Sequence, residues 1–127
     1  FVAFVSGLDA GQIYQTWPMM GNTYFPNDLF FDDYRNLNNH SLVQFYHRNL
    51  AYLIILYAIF LSVFIYKKKL FNLYLSLKIL LFILLLQIAL GIFTLVTGLN
   101  IYLASVHQIT SVLLVLSALN LYYCRAK

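Results

Sequence analysis

The stretch QFYHRNLAYLIILYAIFLSVFIY, Gln44–Tyr66, is 23 residues long and carries one charged side chain, Arg48. About 20 predominantly apolar residues are enough for an α-helix to cross the hydrocarbon of a bilayer. Two further segments of the same kind follow, at Leu70–Gly98 and Tyr102–Cys124. Lys67-Lys68-Lys69 separates the first from the second, and Arg125-Ala126-Lys127 closes the third. The reading is an all-α integral membrane fold with three complete spans at residues 44–66, 70–98 and 102–124.

Composition agrees with this. Of 127 residues, 62% are hydrophobic and only 9% charged, and the mean hydropathy is +0.77, outside the range of soluble globular domains. The net charge of +4 does not point to nucleic acid, because the basic residues flank apolar runs, where they orient a chain in the bilayer. A single cysteine, Cys124, excludes an internal disulfide and reads as a structural thiol.

Before the first span the chain changes character. Residues 1–6 begin with Phe1-Val2-Ala3-Phe4-Val5, apolar but far too short to span, and without the basic region of a signal peptide. They are expected to be the end of a fourth, truncated membrane helix. Residues 7–43 read as a polar loop: they hold Gly7, Gly11, Gly21, Pro18, Pro26 and all four acidic residues, Asp9, Asp28, Asp32 and Asp33. The positive-inside rule places Lys67–Lys69 and the C-terminus on the cytoplasmic or matrix side, and the loop on the outer side. Lys78 lies near the inner end of its span, where its stem can snorkel to the headgroups.

Two histidines stand at one depth. His47 precedes Lys67 by 20 residues and His107 precedes Arg125 by 18, so at 1.5 Å per residue both sit about 27–30 Å from the inner boundary. His47 shares a helical face with Ala51, Ile54, Ala58 and Ser62, and His107 shares one with Ala104, Ser111 and Ala118. The middle span lines up Gln87, Gly91, Thr94 and Gly98. Small-residue stripes let membrane helices approach closely, which turns the three stripes toward one another and the histidines inward.

An ionisable group within a bilayer marks function by default. Three readings remain: a bis-imidazole metal or heme site, a proton-relay pair, and interhelical packing. A zinc site needs further ligands, and only His40 and scattered Asp are near. A heme iron needs two axial ligands from the protein and suits an aromatic-rich slot between helices. Arg48 is placed to pair with a heme propionate or to anchor in the headgroups. Gln44 and Gln108 are candidates to fix an imidazole tautomer, or lie at the water interface. Tyr14, Trp17 and Tyr24 form an interfacial belt or a lid on the site.

GLDAG (Gly7–Gly11), TWPMMG (Thr16–Gly21), VQFYHR (Val43–Arg48), LQIALGIFTL (Leu86–Leu95) and ASVHQ (Ala104–Gln108), in this order and over essentially the whole chain, resemble the second half of a heme A synthase. The resemblance implies half of an eight-helix bundle with a two-fold repeat, His47 and His107 as axial ligands of a heme b, and membership of an enzyme that oxidises the C8 methyl of heme O to a formyl group. It also implies a missing N-terminal half, heme O as substrate, an electron donor, a lipid environment that leaves a homo-oligomer open, and a bacterial plasma or mitochondrial inner membrane. The half of that enzyme that hosts the reaction carries a carboxylate where this chain has Gln44, so the resemblance points to the heme b half and to no catalytic acid here. A membrane cytochrome b that only carries electrons and a heme-free assembly subunit are the competing readings.

Overall fold

The computed structural model describes residues 12–26 and 39–126. The truncated helix expected at residues 1–6 and the four aspartates lie outside them. Three long helices make up the rest: α1 (His40–Lys67), α2 (Tyr74–Val96) and α3 (Ile101–Ala126). With a 3-10 turn at Phe71–Leu73 leading into α2, all three are long and apolar enough to cross a membrane.

The helix limits follow from polar caps rather than from hydropathy. Asn39 caps α1, its Oδ1 accepting from the Leu42 N–H at 3.2 Å. That starts the helix at His40, with Ser41, Leu42, Val43 and Gln44 all buried. At its other end Lys67 lies in the last turn, where a cation meets the negative end of the helix dipole. Helix α2 stops in a left-handed turn, Gly98 at φ 72° and Leu99 at φ 57°. The Leu99 N–H then donates to the Thr94 carbonyl at 2.9 Å. A Cβ is disfavoured in this region, so glycine suits the first of the two positions. Asn100 reopens the chain as a helix, its Oδ1 accepting from the Tyr102 N–H at 3.0 Å.

Helices α2 and α3 form an antiparallel hairpin packed along much of its length, whereas α1 meets α2 over a short patch. The buried core, Ile65, Leu73, Leu77, Leu80 and Leu121, gathers at the end where the lysines stand. Ser76, Asn120 and Cys124 join α2 to α3 there: Asn120 Nδ2 donates to Ser76 Oγ, and Ser76 Oγ to Cys124 Sγ, both at 3.4 Å. Above this core a cavity of about 320 Å³ separates α1 from the hairpin, lined by Ile54, Ala58, Leu84, Leu114 and Ala118 among others, with Arg125 at its rim. Ala58 and Ala118, from two of the small-residue stripes, thus border one space. The outward faces are apolar, as at Phe60, Phe82 and Leu116, which requires hydrocarbon as the surrounding solvent.

At the opposite end, residues 12–26 form a strap across the start of α1. Its Met20–Thr23 turn is closed by the Met20 N–H donating to the Thr23 carbonyl at 2.8 Å, and Met20 is fully buried.

Candidate functional site

His47 lies two turns into α1 and His107 nearly two turns into α3. Both helices begin at the strap end, so equal progress along each brings the rings to one level. Both side chains are half-buried.

The surroundings of His107 come from α2. A Cβ at position 91 would lie 3.0 Å from His107 Cε1 and 3.6 Å from each ring nitrogen; Gly91 therefore lets the imidazole edge rest on the α2 backbone. One turn earlier, the Gln87 amide nitrogen stands 3.4 Å from His107 Nε2. Hydroxyls on the same faces are occupied within their own helices: Thr94 Oγ1 donates to the Leu90 carbonyl and Ser62 Oγ to the Ala58 carbonyl, each at 2.7 Å. Among the described residues, three buried side-chain atoms have no hydrogen-bond partner: His107 Nδ1, Gln87 Oε1 and Gln44 Oε1. Two of the three sit in this pair, and buried polar atoms without partners are uncommon enough to mark it out.

The other sequence candidates on α1 reach the strap. Gln44 is buried and its Nε2 donates to the Tyr14 carbonyl at 2.8 Å. Arg48 donates from Nη2 to that same carbonyl at 3.0 Å and from Nη1 to the Met19 carbonyl at 3.1 Å. Both side chains thus fasten the strap to α1. Tyr24 adds a third tie, its hydroxyl donating to Asn49 Oδ1 at 2.7 Å, while Tyr24 and Phe25 both meet the Phe45 ring edge-on. Gln108 follows His107 but is exposed. The amide beside His107 is Gln87, which in the sequence shows only as one member of the α2 stripe.

Among the described residues no three His, Cys, Asp or Glu side chains gather as a metal cluster. The arrangement is a pair of imidazoles offered from two helices.

Residues 3–119 match the profile of the COX15-CtaA family, described as cytochrome oxidase assembly protein. The chain belongs to this cytochrome oxidase assembly protein family. The match takes in both histidines, Gln87 and Gly91. Among curated relatives, the heme A synthase of Pelagibacter ubique is 45% identical over 121 residues, covering 91% of this chain and 34% of its own length. The heme A synthase of Wolbachia pipientis wMel is 40% identical over 122 residues, covering 94% of this chain and 33% of its own. That of the Wolbachia of Brugia malayi is 40% identical over 117 residues, 90% of this chain and 33% of its own. The chain spans about a third of the length of these relatives. No solved structure matches it. As a member of the cytochrome oxidase assembly protein family with three spanning-length helices, it is an integral membrane protein.

Proposed function

We propose that this chain is the C-terminal, heme b-binding part of a heme A synthase, with His47 and His107 as the two axial ligands. What supports the reading is that two histidines on separate membrane helices each stand about two turns from the start of their helix, with Gly91 and Gln87 against the His107 ring. The donor set suits the group: two neutral imidazoles complete a heme iron's coordination, while the glycine at position 91 leaves the His107 ring room against α2. Held by His47 and His107, a heme would supply electron transfer rather than oxygen chemistry, because the two histidines would take both positions the protein can fill.

The residues divide the work. His47 and His107 hold the group from opposite helices, and Gly91 seats the His107 ring. Arg48 and Gln44 hold the strap, with its half-exposed Trp17 and Tyr24, at the outer mouth of the bundle. In this reading Arg48, while holding the strap carbonyls, keeps further N–H donors for a propionate. Oxidation of the C8 methyl of heme O to the formyl group belongs to the N-terminal half, which supplies the rest of an eight-helix, two-fold repeat. Gln44, an amide, offers no carboxylate for that chemistry. The membrane is a bacterial plasma or mitochondrial inner membrane, with Lys67–Lys69 and the C-terminus on its cytoplasmic or matrix face.

The test is a reduced-minus-oxidised optical spectrum of the detergent-purified full-length protein. A low-spin b-type band lost in both His47→Ala and His107→Ala is the expected outcome. A band unchanged in either variant would sink the ligand assignment.

A further inference from the structure

The cavity between α1 and the hairpin is as deep as one leaflet of a bilayer. Its lining runs from Ile54 to Ile65 on α1, from Leu73 to Leu84 into α2, and from Leu114 to Arg125 on α3. At 1.5 Å per residue each of these stretches is about 16 Å long. One leaflet contributes about 15 Å of a bilayer's hydrocarbon, so the cavity reaches from the lysine-side boundary of the membrane to its midplane. The lining is apolar except at Tyr57, Tyr122 and Arg125, and a cavity wall without polar groups does not hold ordered water.

The shape and charge of the cavity narrow what fills it. Leu80, Leu84 and Leu121 close its floor and are buried. Tyr57 and Phe64 on α1, and Ala118 and Tyr122 on α3, line it and are exposed, which leaves it open along one side, toward hydrocarbon. Its mouth is cationic. Arg125 stands at the rim, and Leu70, which directly follows Lys67-Lys68-Lys69, also lines the space. Among the described residues there is no Asp or Glu to pair with these four exposed cations. A guanidinium meets a phosphate through paired N–H donors, and the Tyr122 hydroxyl, one turn deeper, adds another. We propose that this cavity binds one acyl chain of an anionic phospholipid drawn from the leaflet on the lysine side, with the lipid phosphate held by Arg125. The histidines lie toward the other end of α1 and α3, and lipid binding here is independent of what they hold.

The test uses the full-length protein in phosphatidylcholine nanodiscs that carry a trace of photoactivatable lipid, either phosphatidylglycerol or phosphatidylcholine, with a diazirine near the end of one acyl chain. Labelled residues are mapped by mass spectrometry. Expected is labelling at Ile54, Leu84 or Leu114 by the phosphatidylglycerol probe, in excess of the phosphatidylcholine probe, over an even background at outward residues such as Phe60 and Phe82. Arg125→Gln, at an exposed position, should lower that labelling about fivefold, the share of one cation near an anionic surface. Ala118→Phe, which fills the slot from its edge, should abolish it and leave the background unchanged; Ala118→Leu repeats the test if the phenylalanine variant fails to insert. An unlabelled lining in the unaltered protein would overturn the proposal, as when another helix of the full-length protein fills the slot. Equal labelling by the two probes, or no change in Arg125→Gln, would reject the anionic headgroup and with it the assignment. Labelling that survives the Ala118 substitutions would place the chain outside the cavity.

Discussion

Arg48 and Gln87 show two ways in which a polar side chain near a membrane takes its role from elements remote in sequence. Arg48 directs two N–H groups at strap carbonyls, and a hydrogen bond from a charged donor contributes about 1.5–3 kcal/mol, toward the low end where water reaches it, as it does here. We expect Arg48→Leu to free the strap while leaving the helices inserted. The check is the emission of Trp17, isolated as the difference from a Trp17→Phe protein: it should shift to the red and become open to a soluble quencher. An unshifted emission would show that Gln44 and Tyr24 hold the strap without Arg48. The place of each histidine near the start of its helix was legible in the sequence, because residue counts to the flanking cations give depth directly. The donors around it were not. A strap without periodicity offers no face to project, so the carbonyls that receive Arg48 and Gln44 could not be foreseen, and the choice of Gln87 over Gln108 depends on how α2 is rotated against α3.

Helices were legible from length and apolarity, but hydropathy marks the edge of the membrane and a cap marks the edge of a helix. The two differ at α1, where Asn39 begins the helix at His40 and the buried Ser41–Gln44 turn lies ahead of the apolar run. Within the hairpin, apolar packing outweighs the polar contacts. Leu77 is fully buried, and truncating such a leucine to alanine costs about 2–5 kcal/mol through lost contacts and the cavity left behind. Interhelical hydrogen bonds in membranes average about 0.6 kcal/mol. We therefore expect Leu77→Ala to destabilise the protein more than Asn120→Leu, which removes the amide's links to Ser76 and Cys124. Reversible unfolding in mixed micelles measures both, and a larger loss for Asn120→Leu would reverse the ranking.

For the molecule as a whole, orientation rests on the cations. Lys67, Lys68 and Lys69 stand together at the turn between α1 and the 3-10 segment, and about 20 apolar residues on either side separate them from the other face. A cysteine introduced at Lys68 is expected to react with an impermeant maleimide only after the membrane is opened; labelling of sealed cells or mitoplasts from outside would invert the topology. The family relation was legible too, in five motifs in order along the chain; of those among the described residues, TWPMMG lies in the strap, and VQFYHR, LQIALGIFTL and ASVHQ lie in α1, α2 and α3.

The unequal packing of the three helices also sets an order in time. Helices α2 and α3 are joined by the four residues 97–100, and contacts that close a short loop form early because little chain entropy is lost in making them. Helix α1 has only a short patch on the hairpin and the strap across its start to hold it. Once all three spans are inserted, the hairpin is thus expected to close first, with α1 and His47 docking onto it afterwards. The space between α1 and the hairpin is accordingly expected to close last during biogenesis and to open first under stress.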